Sequence, residues 1–398
     1  MSKTGVLEKG SKYIMNTYNS FPIVLKKGKG VYVWDEDGKK YMDFVAGIAV
    51  NVLGYGDEKY IEAIKDQLEK IHHCSNLYIT EPVVSLAETL VENSSFDKVF
   101  FCNSGTEAME AAIKLSRKYA YKNKGEGASE IISMKNSFHG RTLGALTTTG
   151  QEKYQKGFGP LIPGIKYAIY NDFASIEELV NENTCGIILE VVQGEGGVNP
   201  AKKEYLEKVR KLCTEKDIVL IFDEVQTGVG RTGKLFAHEI YGISPDVMAL
   251  AKGLGGGVPI GAMMAKEKFA LAFSPGDHAS TFGGNPMATT AAGHIVDRLL
   301  NDGVLKNAEE SGKYLRKKLE ELKDKYGFIK DVRGLGLMQG IEVDINTGDI
   351  IKNAMANGLL LVGAGASVIR FVPPLIVTKE EIDEMIEILE KALDISKN

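Results

Sequence analysis

Cys185-Gly186-Ile187-Ile188-Leu189-Glu190-Val191-Val192 and Ile218-Val219-Leu220-Ile221-Phe222 are two nearly unbroken apolar runs. Between them, Tyr205 to Lys216 has the spacing of an amphipathic helix. Runs that are apolar at almost every position suit strands covered on both faces, the condition of a parallel sheet with helices above and below. A strand–helix–strand unit of this kind is the repeat of an α/β fold. Upstream the alternation continues. Lys98-Val99-Phe100-Phe101-Cys102 reads as a strand, Ser104 to about Tyr121 as a helix, and Ile131 to Met134 as a strand. The centre of the chain therefore predicts a mostly parallel sheet flanked by helices.

The ends read differently. Residues 23–50 carry short strand signals, with Trp34-Asp35-Glu36-Asp37-Gly38-Lys39 as a hairpin turn. From about Gly293 onward the pattern is of two amphipathic helices flanking short strands. The last helix starts after Thr378, with Glu381 three residues on as a capping box. These signals predict a large domain over 56–292 and a smaller α+β domain built from 1–55 and 293–398.

The charge balance excludes some functions. With 48 basic and 53 acidic residues among 398, the net charge is -5, and the basic residues are scattered. No basic block suits nucleic acid or an anionic membrane. No run is long enough for a transmembrane helix, and the first residues lack an apolar signal core. Cys74, Cys102, Cys185 and Cys213 stand far apart, without C-x-x-C spacing. They form no disulfide framework, and the cytosol is the expected compartment.

In an open α/β sheet, chemistry gathers beyond the carboxyl ends of the strands. Asp223 and Glu224 close the second apolar run. A carboxylate there caps a strand end, or meets a cation at the floor of a pocket. Lys252 closes another apolar run, Val247-Met248-Ala249-Leu250-Ala251, and precedes Gly253-Leu254-Gly255-Gly256-Gly257. A desolvated lysine is nucleophilic, and the glycines leave its amine open to a carbonyl. A lysine and a carboxylate on adjacent strand ends are the pair that pyridoxal phosphate chemistry needs. Asn103-Ser104-Gly105-Thr106-Glu107 opens a helix, where Ser104 and Glu107 match a capping box. The same N-terminus suits a phosphate dianion. The six histidines lack ligand spacing, so no metal site is expected. Gly228-Val229-Gly230-Arg231-Thr232-Gly233 fits a dinucleotide fingerprint, and with Lys234 most of a phosphate-binding loop. Leu235 stands where that loop needs Ser or Thr, so a nucleotide-binding protein is the rival reading of lower rank.

The stretch from Asp223 to Lys252-Gly253-Leu254-Gly255-Gly256-Gly257 resembles the class III (ornithine/4-aminobutyrate-type) aminotransferase signature. Further blocks are similar along nearly the whole chain, among them Asn103 to Ala108, Ser137 to Thr142, Glu190 to Gly197, Ser280 to Pro286 and Arg370 to Pro374. Phe44 to Asn51, Ser75 to Tyr78 and Gly276 to Pro286 most resemble the branch acting on N2-acetylornithine. The resemblance implies the fold-type I architecture and a homodimer that shares its active sites. It implies that Lys252 is joined to the cofactor aldehyde and moves the proton, and that Asp223 keeps the ring nitrogen protonated. Gln226 then lies near the ring hydroxyl, with Phe138 and Val225 on the two ring faces. Ser104, Gly105 and Thr106 form the phosphate cup, completed by Thr281 of the neighbouring subunit. Thr106 departs from the alanine of many relatives. Arg141 and Tyr18 hold the amine donor, Arg370 meets the α-carboxylate of 2-oxoglutarate, and Glu195 pairs with Arg370 in turn. Ile48 bears on the donor's distal group, leaving ornithine, succinylornithine, succinyl-diaminopimelate and 4-aminobutyrate as alternative donors.

Overall fold

A computed structural model describes residues 3–397. Its largest sheet has seven strands. In spatial order they are Lys98–Cys102, Gly261–Ala265, Val247–Leu250, Val219–Asp223, Thr184–Glu190, Glu130–Met134 and Ile165–Ala168. Gly261–Ala265 runs antiparallel to both its neighbours, and the other pairs are parallel. The two apolar runs are side by side and buried at every position. Helices Gly105–Lys124 and Lys203–Lys216 cover opposite faces, each in contact with its own buried cluster. The first run is shorter than its sequence suggests. It ends at Glu190, and Val192–Gln193 pairs instead with Asn199–Pro200 in a separate hairpin that carries Glu195 at its tip.

Both chain ends contribute to one four-stranded sheet, in which Leu359–Leu360 adds in parallel to Lys40–Asp43 of the N-terminal strands. A second sheet holds Ile329–Leu335, Met338–Val343, Val368–Phe371 and Val362–Ala364. Helix Pro286–Asn301 begins before Gly293, because Asn285 caps it through the amide of Ala288 and Pro286 suits its first turn. Thr347–Ala356 is a further helix, so the C-terminal part has more helices than the two expected. The capping box at Thr378 and Glu381 is complete, with bonds of 3.2 and 2.9 Å. After Asp43 the chain leaves the strand region. Ala46, Gly47, Ile48 and Ala49 are all left-handed, held by Asp43, whose carboxylate accepts from the amides of Val45 and Ala46. Three of these four residues carry a Cβ, a conformation that is costly for non-glycine residues and concentrates at functional sites.

Candidate active site

The sheet brings the carboxyl ends of Lys98–Cys102, Glu130–Met134, Thr184–Glu190, Val219–Asp223 and Val247–Leu250 to one edge. A cleft of about 380 Å³ opens there. Lys252, Asp223, Ser104, Gly105, Thr106, Phe138, Arg141, Glu195, Val225 and Gln226 all line it. Residues from five separate segments thus converge where strand ends predict chemistry.

Lys252 sits at positive φ (43°) in the turn after its strand. Its side chain lines the cleft and is partly exposed there, and burial of the rest pushes its pKa down. Arg370 pushes the same way, against the charges of Glu195 and Asp223. More of the amine is therefore unprotonated and nucleophilic at neutral pH.

The two acids that close the second apolar run part company, as successive strand residues must. Glu224 turns into the protein and accepts from the amides of Ala237 and His238 and from His238 Nδ1, at 2.6 to 2.8 Å. Asp223 faces the cleft floor and is only 5 % exposed. Its Oδ1 accepts from the Val225 amide at 3.0 Å, and its Oδ2 contacts His139 Nδ1 at 2.7 Å. A carboxylate oxygen accepts here, which puts the imidazole proton on Nδ1. One oxygen thus has His139 behind it, and Asp223 keeps acceptor capacity toward the cleft.

At the far wall Ser104 caps helix Gly105–Lys124, accepting from Glu107 N at 3.3 Å. The reciprocal half of the expected capping box is displaced, since Glu107 accepts instead from the amide of Asn103, at 2.5 Å. Gly105 is required by packing: a Cβ there would lie 2.7 Å from Val225 Cγ1.

Arg370 has no exposed surface and does not line the cleft; Glu195 stands in front of it at 2.6 Å. Gln226 completes the cluster, accepting from Arg370 at 2.9 Å and donating to Glu195 at 3.4 Å. Burial alone would raise the Glu195 carboxyl, but Arg370 foremost, then Lys252 and Gln226, together hold the pKa below the ordinary value. Two expected residues stand elsewhere. Tyr18 is 80 % exposed and outside the cleft. Thr281 lies with Asn76, Tyr78 and Asn285 in a separate depression. Gly228 to Lys234 forms a turn packed under the C-terminal part, where buried Arg231 donates to the carbonyls of Leu337 and Pro373. The amides of Gly228, Gly230, Arg231 and Gly233 are spent on the carbonyls of Glu224, Leu235, Gly228 and Gly230, which leaves the nucleotide reading without a phosphate cradle.

A family profile described as aminotransferase class III matches residues 13–393. The chain belongs to the class III aminotransferases. It is 55% identical over 383 residues to an acetylornithine aminotransferase of Caldanaerobacter subterraneus, covering 96% of this chain and 97% of that one. It is 52% identical to an acetylornithine aminotransferase of Methanocaldococcus jannaschii, covering 98% of each. Among solved structures, the ornithine aminotransferase of Toxoplasma gondii superposes with a TM-score of 0.96 at 33% identity, covering 100% of this chain and 96% of that one. The N-acetylornithine aminotransferase of Stenotrophomonas maltophilia gives 0.85 at 36%, covering 98% of each. This is therefore a pyridoxal-phosphate-dependent aminotransferase of fold-type I.

The cleft of this class III aminotransferase fits that cofactor. Its residues offer a desolvated amine, a buried carboxylate, a glycine-containing helix N-terminus and flanking apolar side chains, each matching one part of it. Two titratable cleft residues escaped the sequence reading. His139 had no local signal, since Asp223 is 84 residues away. Glu190 did have one: it ends an apolar strand as Asp223 does, and the two are register partners. Its carboxyl accepts from the amides of Phe138 and Gly194, at 3.1 and 3.4 Å.

Burial, and then the charge of Asp223, pushes Glu190 well above the usual carboxylate range. A raised acid pKa means that above the unfolded-state value the native state holds a proton the unfolded state has lost. Stability then falls as pH rises toward the native pKa. Glu190→Gln removes this dependence. The melting temperature of Glu190→Gln relative to wild type should therefore climb as pH rises above the ordinary carboxylate pKa of about 4.3. A difference that stays flat or shrinks above that value in apoenzyme calorimetry contradicts the assignment.

Proposed function

We propose that this enzyme moves the δ-amino group of N2-acetylornithine to 2-oxoglutarate, giving N-acetylglutamate 5-semialdehyde and glutamate. The observation that carries it is the unequal placement of two arginines. Arg141 lines the cleft, while Arg370 is masked by Glu195. One arginine is thus ready for a donor with a single carboxylate, and a second is uncovered for a partner with two. The names of the relatives at 50% identity and above support the donor.

Bound in the cleft, the cofactor supplies an aldehyde to take up the amino group and a ring to withdraw electrons. Ser104, Gly105 and the amide of Thr106 hold its phosphate, and Phe138 and Val225 enclose its ring. Asp223, backed by His139, meets the ring nitrogen, with Gln226 beside the ring hydroxyl. Lys252 would hold the cofactor's aldehyde through its amine and would be the general base for the donor's proton. Glu195 neutralises Arg370 while the donor is bound and yields it to the oxo acid.

The same reading makes the enzyme a homodimer in the cytosol, with Tyr18 holding the donor once the assembly is complete. Thr281 lies outside its own cleft and is available to a neighbour. Leu77, Tyr78, Ile79 and Phe282 expose a large apolar surface near it. The four cysteines are unpaired, as suits a reducing compartment. Residues 1–55 and 293–398 would make a small domain beside a large one of 56–292, supported by the sheet both ends share.

A donor panel tests the substrate. Acetylornithine should give the highest kcat/KM, with ornithine, succinylornithine, succinyl-diaminopimelate and 4-aminobutyrate lower. Ile48, 40 % exposed on the left-handed turn, offers no hydroxyl to a charged distal amine. One such group changes discrimination by only about 1–3 kcal/mol, so measurable activity with several donors is expected. A higher kcat/KM for 4-aminobutyrate than for acetylornithine would overturn the choice.

A further inference from the structure

Thr106 stands in the phosphate cup, yet its hydroxyl has other commitments. Oγ1 accepts from the amides of Arg141 and Thr142 at 3.2 and 3.3 Å and lies 2.9 Å from Thr142 Oγ1. Thr142 Oγ1 in turn donates to Glu110 Oε1 at 2.6 Å. Each hydroxyl has one proton. Since Thr142 gives its proton to the carboxylate, Thr106 must give its own to Thr142. The Thr106 hydroxyl is then saturated, with one proton donated and two amides accepted. It has nothing left to offer a phosphate, although its backbone N–H remains at the helix N-terminus.

Glu110, one turn along the same helix, also accepts from the amides of Gly144 and Ala145, at 2.9 and 3.1 Å. Glycines stand where these two side chains meet the loop. A Cβ at Gly140 would lie 2.2 Å from Thr106 Oγ1, and one at Gly144 would lie 2.3 Å from a Glu110 oxygen. The segment 140–145 is thus moulded onto Thr106 and Glu110. Its one cleft-lining cation is Arg141, whose guanidinium lies over the Tyr154 ring at 4.0 Å and the Phe138 ring at 5.3 Å.

We infer that Thr106 and Glu110 are positioning residues for Arg141, setting the affinity for the donor's carboxylate, and that neither side chain holds the cofactor phosphate. This rests on the reading of Arg141 given above. Thr106→Val keeps the volume and removes the hydroxyl; Thr106→Ser keeps the hydroxyl; Glu110→Ala removes the second anchor; Arg141→Ala is the reference. Donor KM should rise about five- to tenfold in Thr106→Val and Glu110→Ala, the effect of one or two lost hydrogen bonds, and return to near wild type in Thr106→Ser. The KM for 2-oxoglutarate and the dissociation constant of pyridoxal phosphate, titrated by absorbance, should stay within about twofold. Weaker cofactor binding in Thr106→Val with an unchanged donor KM would show the hydroxyl to be a phosphate ligand and overturn the inference. An unchanged donor KM in Arg141→Ala would sink the reading of Arg141 and the inference with it. A raised donor KM in Arg141→Ala alone sinks only the inference.

Discussion

Lys252→Ala should lower turnover by about 10⁴-fold, the upper end of what removing a positioned proton carrier costs. The size of the effect follows from a double role. Lys252 would provide the amine that joins the cofactor, and among the described residues no second lysine lines the cleft to take over proton transfer. Its pKa is lowered, first by burial, which favours the unprotonated amine that a base requires. The fold should survive, because the truncation removes a desolvated amine and leaves Arg370 as the cation beside Glu195. Alanine inherits the same positive φ, so the backbone strain at position 252 is unchanged. Melting temperature should shift by no more than a few degrees, and the visible absorbance of the purified protein should no longer respond to donor as wild type does. A variant that retains a tenth of wild-type turnover removes Lys252 from the mechanism.

The sequence reading reached furthest where local pattern and final environment agree. Strands apolar at every position can be satisfied only between two layers of helices, so the core of the sheet was legible from its own residues. Asp223 and Lys252 stood out because a charge ending such a run needs a partner. Strand Gly261–Ala265 lacks that signature. Its Gly-Ala-Met-Met-Ala sequence has little strand propensity, and it is a strand because both its edges are paired. The left-handed turn at 46–49 was equally hidden, since only Gly47 announces it and the rest is imposed by Asp43. Within the site, sequence gave the membership of the cleft better than its depth. Arg370 and Arg141 are both arginines in family blocks, but nothing local says that one is sealed behind Glu195 and the other laid over Tyr154. The role of Thr106 was illegible for the same reason, because its partners lie 35 and 36 residues downstream.

Arg370→Ala should separate the two half-reactions. The guanidinium is fully buried, and one nitrogen is shared between Glu195 and Gln226. Truncating one partner of a buried, hydrogen-bonded charge pair made with a ligand costs about 2–5 kcal/mol, which corresponds to about thirtyfold to a few thousandfold in kcat/KM for 2-oxoglutarate. The donor half-reaction, held by Arg141, should change by less than about threefold in single-turnover measurements. Part of the loss in the single variant would come from Glu195 left without its cation. Pairing Arg370→Ala with Glu195→Ala removes that stranded charge, so the double variant should recover thermal stability without recovering the oxo-acid rate. Glu195→Gln acts in the opposite direction. It keeps the shape, weakens the hold on Arg370, and should lower the KM for 2-oxoglutarate while narrowing the preference for donors with one carboxylate. Arg370→Lys should rescue only partly, because an ammonium cannot present the two parallel donors that a carboxylate accepts. If Arg370→Ala spares 2-oxoglutarate and cripples the donor half-reaction, the two arginines have been assigned in the wrong order, and the switch built on Glu195 goes with them.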